Sequence, residues 1–248
     1  MRKGRERLPG IMVSKSDSEG RQDPEYVRTA FARIADRYTM ANHILSGGTD
    51  ILWRRKVGRL VEERDPGRIL DVATGTGDLA LELQRRCPGA KVMGTDFCEE
   101  MLGHARGRGL RDSVVADALE LPFDDASFDV VTAAFGLRNM EDWSAGLREM
   151  ARVGMPGGLV LVLDFSLPRG LLRRPYAIYL KKVLPRMAGI ITGERDAYDY
   201  LAGSIERFPS GEEMLELFEN AGLVEPSWTP LTGGIASVYT GQVPAEDS

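Results

Sequence analysis

From Arg68 onward, the chain alternates short apolar runs with longer segments whose apolar positions recur at helical spacing. Short apolar runs predict buried strands, and the periodic segments predict amphipathic helices. Strands of this kind that alternate with helices are typical of a parallel sheet covered on both faces, so the predicted fold class is α/β. The predicted strands are "RILDVAT", "KVMGTDF", "SVVADA", "FDVVTAAF" and "GLVLVLDF", with helices at "GDLALELQRRC", Glu99 to about Arg108 and "WSAGLREMARV".

Helical patterns flank this alternation. Residues 23–64 hold two segments with apolar residues at helical spacing, the second from about Asp50, and predict N-terminal helices. A basic and aromatic stretch over about 170–208 interrupts the alternation and predicts a helical lid insertion. The alternation then resumes with "SGEEMLELFENAGL" as a helix and "VEPSWTPL" and "IASVYTGQV" as strands. Residues 1–22 predict a disordered leader, and 23–248 are expected to form one domain.

Composition narrows the class of protein. The chain has 248 residues, of which 43% are hydrophobic and 28% charged, as in ordinary globular domains. Its formal net charge of -5 argues against a nucleic-acid partner. Two cysteines and two histidines argue against a disulfide framework and a His-based metal site, so no metal is expected. The chain shows neither a signal-peptide pattern nor an apolar run long enough to span a membrane, and we expect a cytoplasmic protein.

A glycine-rich turn directly follows the first predicted strand. In "LDVATGTGDLA", Gly75, Thr76 and Gly77 stand between strand and helix, where glycine lets the backbone approach a ligand at a helix N-terminus. The spacing Gly75-x-Gly77-x-x-Ala80 also satisfies the dinucleotide fingerprint, so it suits NAD as well as S-adenosyl-L-methionine (SAM). A tight turn that binds no ligand is the structural alternative.

Acidic residues end the next two predicted strands. Asp96 stands where a carboxylate can accept both hydroxyls of a ribose, and capping of the following helix is its alternative role. Asp117 and Ala118 end the third strand, where an acidic side chain suits an adenine amino group. Because so much negative charge suits a sulfonium cation better than a pyrophosphate, the predicted cofactor is SAM. The acidic set is Asp71, Asp78, Asp96 and Asp117.

Several motifs together carry a resemblance to known proteins. "LDVATGTGD", "GTDF", "ADALELPF" and "MPGGLVLVLDF" resemble class I SAM-dependent methyltransferases in order and spacing. More narrowly, "GTGD", "FGLRN", "YDYLAGSIERFP" and "LTGG" resemble the C-methyltransferases that finish menaquinone and ubiquinone biosynthesis, over about residues 25–242. The resemblance implies a Rossmann-like, seven-stranded, mostly parallel sheet with helices on both faces. The residues expected to hold SAM are Asp71, Gly75, Thr76, Gly77, Asp96, Asp117 and Ala118.

The sequence departs from this family's pattern at three positions. Tyr38 is followed by Thr39 where the family usually has Asp, so no acid is available there. Thr74 stands where the family often has Gly, and Ala134 stands where some members have Ser. The cofactor motifs are otherwise complete, and the predicted cofactor site is retained.

The segment "FGLRN" places a charge and an amide at the end of the fourth predicted strand, where a methyltransferase of this class holds the methyl acceptor. Methylation of an aromatic carbon needs electron density in the ring, which a hydroquinone supplies once a hydroxyl is deprotonated. Arg138 is predicted to stabilise that phenolate as a fixed positive charge. Asn139 is predicted to hydrogen-bond a ring oxygen or, with Arg138, to hold a water that relays the proton. The structural alternative is an arginine paired with Glu141 or Asp142.

The resemblance also implies the acceptor. The family's acceptors carry isoprenoid tails, so the implied reaction methylates the quinol ring of a prenylated precursor, either demethylmenaquinol or the benzoquinol of the ubiquinone pathway. Candidate contacts to the acceptor are Tyr38, His43, Tyr198 and Tyr200. The three tyrosines could orient the ring or pack in the core. His43 is the candidate general base if the N-terminal helices fold over the site, and a half-exposed helix histidine otherwise. The insertion mixes apolar and basic residues, which suits peripheral contact with anionic lipid at the inner face of a membrane. A lid packed on the domain or a homodimer contact is the competing interpretation.

Other functions stay open on the sequence alone. The same fold could methylate another small phenolic or lipid acceptor. An NAD-dependent oxidoreductase is supported only by the glycine-rich turn, and a non-catalytic partner subunit would keep the motifs without turnover. Cofactor binding separates the oxidoreductase from the methyltransferases, and turnover separates the latter from a non-catalytic subunit.

Overall fold

A computed structural model of the chain describes residues 46, 48–168, 170, 173–180 and 203–245. The predicted leader, the first predicted N-terminal helix and residues 181–202 of the predicted insertion lie outside the described residues. The four candidate contacts to the acceptor ring, Tyr38, His43, Tyr198 and Tyr200, lie outside them as well.

Seven strands in the described part of the chain form a single sheet. They are β1 (Arg68–Val72), β2 (Lys91–Asp96), β3 (Asp112–Val115), β4 (Phe128–Ala134), β5 (Gly154–Phe165), β6 (Val224–Leu231) and β7 (Ala236–Gln242). Their order is β3-β2-β1-β4-β5-β7-β6, with β1 to β5 parallel and β7 antiparallel to both of its neighbours. The predicted mostly parallel sheet is confirmed. Because the winding reverses between β1 and β4, a ligand is expected beyond the carboxyl ends of these strands.

Helices cover both faces of the sheet, as predicted. They are α1 (Asp50–Glu62), α2 (Asp78–Arg86), α3 (Glu99–Gly107), α4 (Trp143–Val153), α5 (Arg173–Ile178) and α6 (Glu212–Asn220). Alternate strand residues point to opposite faces, so Ile69 packs with α1 and α2 while its neighbour Leu70 packs with α4 and α6. None of the described helices is long and apolar enough to cross a bilayer.

Helix α1 begins at Asp50, as predicted, and carries charge on its buried face. Its buried positions recur at helical spacing: Asp50, Trp53, Arg54, Val57, Gly58 and Val61. Trp53 packs against Phe135 and Phe165, at the ends of β4 and β5, with ring centroids 6.2 Å and 6.0 Å away. The helix therefore lies over the carboxyl ends of the central strands and brings Asp50 and Arg54 with it.

The structure shortens one predicted strand. β3 ends at Val115, so Asp117 and Ala118 lie beyond it and not within it as predicted. The Asp117 side chain accepts a hydrogen bond from the Leu119 N–H at 2.9 Å, within the turn that follows the strand. This turn still leaves Asp117 at the same edge of the sheet as Asp96.

Candidate functional site

A cavity of about 140 Å³ opens at the carboxyl ends of β1, β2, β3 and β4. All four acids of the predicted acidic set contribute to its wall, together with most of the predicted cofactor residues. The wall is formed by Arg54, Asp71, Ala73, Thr74, Gly75, Thr76, Asp78, Leu79, Asp96, Phe97, Met101, Asp117, Ala118, Leu119, Ala134, Phe135, Gly136, Asn139, Met140 and Glu141.

The glycine-rich turn gives this cavity its floor. Gly75 has a φ of 56°, and a Cβ added there would meet no atom within 4 Å, so its surface is open for a ligand. Gly77 has a different task, because it has a φ of 84° and a Cβ there would lie 3.0 Å from the Ala105 Cβ on α3. Gly77 thus allows α2 to start against α3, while Gly75 and Thr76 face the cavity.

Asp96 lies at the end of β2 with its carboxylate held by the backbone. Its oxygens accept hydrogen bonds from the N–H groups of Gly75 at 2.8 Å and Cys98 at 3.0 Å. Burial raises the pKa of Asp96 to about 6, and these backbone hydrogen bonds oppose the shift. The N-cap of α3 is Cys98, so the alternative that Asp96 is the capping residue is wrong.

Asp71 lies on the other side of the turn and is fully buried. It accepts hydrogen bonds from the hydroxyls of Thr74 at 2.5 Å and Thr132 at 2.6 Å, which tie the turn after β1 to β4. Burial raises the pKa of Asp71 to about 6, although both hydroxyls and the nearby Arg54 favour its ionised form. Thr74, where the family often has Gly, therefore supplies a hydrogen bond that Gly lacks.

Arg138 and Asn139 are adjacent in sequence but occupy different environments. Asn139 is half-buried in the cavity wall, and its Nδ2 donates to the Phe135 carbonyl at 3.2 Å. Arg138 is only 2% exposed and donates to the same carbonyl at 2.5 Å and to Asp164 at 2.7 Å. The structure thus brings Asn139 to the cavity and places Arg138 behind the wall, although the sequence predicted both at the acceptor.

The ion-pair partner of Arg138 also differs from the two considered in the sequence. Asp164, at the end of β5, is fully buried, and the pair joins β5 to the turn after β4. Asp142 accepts instead from the Ala145 N–H at 2.9 Å and caps α4, while Glu141 lies in the cavity wall. Burial raises the pKa of Asp164, and the Arg138 guanidinium opposes that shift.

The ends of β1 and β4 touch where "FGLRN" begins. A Cβ at Gly136 would lie 2.5 Å from the Ala73 Cβ, so the close approach of these strand ends requires glycine at this position. Ala73, after β1, and Phe135, after β4, have positive φ values of 52° and 59°. Left-handed backbone at non-glycine residues is costly and concentrates at functional sites.

Arg54 is a residue of the cavity that sequence reasoning missed. Its side chain extends from α1 and ion-pairs with Asp50 through Nη1, and its Cζ lies 5.2 Å from the centroid of the Phe135 ring. The sequence did carry one indication of this residue: Asp50 and Arg54 are a charged pair at i and i+4, and they lie on the apolar face of the predicted helix that also carries Trp53. Asp164 was missed too, although an Asp as the penultimate residue of a buried apolar strand gave a comparable signal.

The residues present fit an adenosyl cofactor. Asp96 offers a carboxylate beside the open surface of Gly75, as a ribose requires, and Asp117 and Ala118 lie one strand further along. The four acids in the wall provide the negative surroundings that a sulfonium cation needs.

Comparison with known proteins gives a consistent result. Residues 18–243 match the ubiE/COQ5 methyltransferase family. The chain is 46% identical over 220 residues to a Thermus thermophilus protein named demethylmenaquinone methyltransferase, covering 86% of this chain and 100% of that relative. It is 41% identical over 232 residues to a Bdellovibrio bacteriovorus protein named ubiquinone/menaquinone biosynthesis C-methyltransferase UbiE, covering 89% of this chain and 97% of the relative.

Solved structures share the fold at lower identity. A SAM-dependent methyltransferase of Thermotoga maritima, described as a possible histamine N-methyltransferase, has a TM-score of 0.63 and 22% identity over 87% of this chain and 99% of its own. Haemonchus contortus phosphoethanolamine N-methyltransferase 2, solved in complex with SAM, has a TM-score of 0.53 and 17% identity over 71% of this chain and 48% of its own. The fold is that of class I methyltransferases, and by its sequence the chain belongs to the ubiE/COQ5 methyltransferase family.

Proposed function

We propose that this protein is a SAM-dependent C-methyltransferase that methylates the quinol ring of a prenylated precursor, with demethylmenaquinol as its acceptor. The observation that carries this proposal is the match, at 46% identity over 86% of this chain, to the whole of a relative named demethylmenaquinone methyltransferase. Other relatives carry the name ubiquinone/menaquinone biosynthesis C-methyltransferase, so the benzoquinol of the ubiquinone pathway is the second acceptor to test.

The cofactor half of the site gives a task to three of the four acids. When bound, SAM supplies a methyl group on a sulfonium centre. We expect Asp96 to accept the ribose hydroxyls, since it lies at the end of β2 beside Gly75. Asp117 and Ala118, also in the cavity wall, would then contact the adenine, and Asp71 would supply negative charge for the sulfonium. Thr76 lies in the cavity wall before α2, whereas Gly77, the remaining member of the predicted set, is absent from the wall and serves the packing of α2 on α3.

The acceptor half of the site centres on Asn139. Because its Nδ2 donates to the Phe135 carbonyl, its Oδ1 remains as an acceptor for a quinol hydroxyl in the cavity. The charge of Arg138 is balanced by Asp164, so we assign Arg138 the task of fixing the turn that carries Asn139, in place of the predicted direct contact with the phenolate. Tyr38, His43, Tyr198 and Tyr200 remain sequence-based candidates for contact with the ring.

The insertion is proposed to make the peripheral membrane contact that a prenylated acceptor requires. In its described part, Arg173 and Arg174 are exposed on α5 and Ile178 is 56% exposed, while Tyr176 and Tyr179 pack on the domain. Exposed basic and apolar side chains on one short helix suit an anionic lipid surface. Co-sedimentation with vesicles of phosphatidylcholine, with and without phosphatidylglycerol, tests this: binding that depends on the anionic lipid supports it, and equal recovery in the supernatant contradicts it.

The reaction is tested by methyl transfer from methyl-labelled SAM to reduced demethylmenaquinone and to the corresponding demethylated benzoquinol, side by side. We expect label in the naphthoquinol product. Label only in the benzoquinol would change the assigned acceptor. SAM binding without transfer to either quinol would contradict this acceptor class, and binding of NAD in place of SAM would contradict the methyltransferase activity.

A further inference from the structure

The loop between β3 and β4, residues 116–127, forms part of the cavity wall although it lies outside the strands of the sheet. Asp117, Ala118 and Leu119 line the cavity from this loop. Its strand-like pairing amounts to an isolated bridge between Asp117 and Glu120. Backbone groups that leave a sheet need other hydrogen-bond partners. The position of Asp117 in the wall therefore depends on what holds the loop.

Two side chains of α4, Glu149 and Arg152, supply these partners. Glu149 accepts from the Leu121 N–H at 2.8 Å, and Nη2 of Arg152 donates to the Leu121 carbonyl at 3.0 Å. Nη1 of Arg152 donates to the Phe123 carbonyl at 2.8 Å and to Asp125 Oδ1 at 2.7 Å. Leu121 is only 4% exposed, so its backbone groups would be costly to leave unpaired. The two side chains of α4 thus satisfy both backbone groups of Leu121, as a neighbouring strand would.

Glu149 and Arg152 also fix one another. Nε and Nη2 of Arg152 donate to the two carboxylate oxygens of Glu149, both at 2.7 Å. Such a fork of parallel hydrogen bonds is geometrically specific, and lysine, which carries a point charge on a flexible stem, cannot reproduce it. The hydrogen bonds from Arg152 lower the pKa of Glu149, so the pair is ionised at neutral pH. The loop is therefore held by a rigid pair on a helix of the domain.

We propose that Glu149 and Arg152 are positioning residues that make the site select adenine, because they hold the β3–β4 loop where Asp117 can accept from the amino group of the base. This inference rests on the proposed cofactor. Neither residue is among those described as lining the cavity, so both act through the loop and not by contact with the ligand.

Calorimetric binding of S-adenosylhomocysteine and of S-inosylhomocysteine, in which a carbonyl replaces the amino group of the base, tests this assignment. Wild-type protein is expected to prefer the adenosyl ligand by about 10- to 100-fold, the effect of a hydrogen bond to a charged group. Arg152→Lys is expected to weaken binding of the adenosyl ligand by about tenfold, because the loop loses its fork. Its affinity for the inosyl ligand should stay within about twofold, because that base has no amino group to donate to Asp117.

The chain offers a matched control on α2. Glu82 and Arg85 have the same i, i+3 spacing, and Arg85 donates to the two oxygens of Glu82 at 3.0 Å and 2.9 Å. The Arg85 side chain is 63% exposed, and in the described part of the chain its hydrogen bonds go to Glu82 alone. Arg85→Lys therefore makes the same chemical change in a pair that holds no loop, and it should leave both affinities and their ratio unchanged.

Amide hydrogen exchange separates release of the loop from a folding defect. Without ligand, the Leu121 amide of Arg152→Lys is expected to exchange about tenfold faster than in the wild-type protein, while the amides of β1 keep their wild-type rates. Glu149→Gln is the second variant: it keeps an oxygen for the Leu121 N–H and loses the ion pair, and it should also lower the preference for the adenosyl ligand.

The contrary outcomes are distinguishable. Equal weakening of both ligands by Arg152→Lys, or of neither, overturns the assignment. Faster exchange throughout the sheet in this variant also overturns it, because the pair would then support the whole domain and not the loop. Wild-type protein that binds S-adenosylhomocysteine without preference over the inosyl ligand overturns this assignment alone. Wild-type protein that binds neither SAM nor S-adenosylhomocysteine overturns the proposed function, and this role with it.

Discussion

At the scale of single residues, the contrast between Arg138 and Asn139 shows how burial assigns roles. Both donate to the Phe135 carbonyl, but only Asn139 lies in the cavity wall. Arg138 lies between that carbonyl and the fully buried Asp164, where a carboxylate left alone would be an uncompensated charge. Replacing the two residues should therefore have different consequences.

Arg138→Met is expected to lower the free energy of unfolding by about 3–5 kcal/mol, because it leaves Asp164 buried without its cation. Urea denaturation followed by circular dichroism measures this loss. The double variant Arg138→Met with Asp164→Asn should recover at least half of the lost free energy of unfolding. The Phe165 N–H donates to Asp164 at 2.8 Å, and the amide oxygen of the introduced asparagine would still accept this hydrogen bond. A wild-type denaturation midpoint for Arg138→Met would show that the pair contributes nothing to folding.

Asn139→Ala is expected to lower kcat by about 100-fold, the typical effect of removing one hydrogen-bonding group that acts on a reacting oxygen. Its SAM affinity should stay within about twofold, and its unfolding free energy within about 1 kcal/mol, because only one half-buried hydrogen bond is lost. Turnover, calorimetry and urea denaturation on the same preparation separate these effects. Equal losses of turnover and of SAM affinity would mean that Asn139 belongs to the cofactor half.

The buried carboxyl of Asp96 predicts opposite pH trends for stability and for cofactor binding. Its pKa is raised to about 6, so the folded protein favours the protonated form more than the unfolded chain does. Asp96 therefore stabilises the ligand-free protein fully only at low pH, and this contribution is lost as the pH rises through about 6. Cofactor affinity should change in the other direction, because the ribose requires the ionised carboxylate.

We expect SAM affinity to fall by up to about tenfold between about pH 7 and pH 5, measured by calorimetry. Asp96→Asn is the matched variant: its affinity should be low throughout, and its dependence on pH over this range clearly weaker. If the SAM affinity of Asp96→Asn depends on pH as steeply as that of the wild-type protein, another group is responsible for the pH dependence. Asp71 is then the first candidate, since its pKa is also raised to about 6.

At the scale of elements, β1 and β4 approach one another more closely at their ends than two side chains would allow. Gly136→Ala is expected to destabilise the protein by about 1–3 kcal/mol and to weaken SAM binding, because its Cβ would lie 2.5 Å from that of Ala73 and both residues line the cavity. Thermal unfolding and calorimetry measure the two effects.

A compensating change provides the control for this approach. Ala73→Gly removes the opposing Cβ at a residue whose φ is 52°, so alone it should remain within about 1 kcal/mol of the wild-type stability. Combined with Gly136→Ala, it should restore most of the lost stability and affinity. Failure of the double variant to recover either quantity would show that the contact with Ala73 is not the reason for glycine at position 136.

The same elements show what the sequence could and could not predict. Strands such as Phe128–Ala134 and helices such as Trp143–Val153 follow from apolar periodicity, which is a local signal. The Arg138–Asp164 pair joins residues 26 positions apart, and Arg54 on α1 reaches the Phe135 ring beyond β4, so neither contact follows from local pattern. Asp96 and Asp117 were found because the ends of neighbouring parallel strands meet at one edge.

At the scale of the whole molecule, the cavity wall joins segments that are distant in the chain. Its residues extend from Arg54 on α1 to Glu141 beyond β4, and α1 is held to the domain partly by Arg54 itself, between Asp50 and Asp78. A ligand that contacts both ends of the cavity should therefore stabilise the whole folded domain and not only a single loop. Binding to the native state alone stabilises it by mass action.

S-adenosylhomocysteine at about 100 times its Kd should therefore raise the unfolding free energy by about 2.7 kcal/mol, and Tm by roughly 5–10 °C. At the same ligand concentration, Asp96→Asn should lose most of this increment, because the ribose contact is gone, and Asn139→Ala should keep it, because the acceptor half takes no part in holding the product. Differential scanning calorimetry across a ligand series gives the increment for each variant. If Asp96→Asn keeps the wild-type shift, the ligand binds elsewhere. If both variants lose the shift, the cavity is one site, and its residues cannot be divided between cofactor and acceptor.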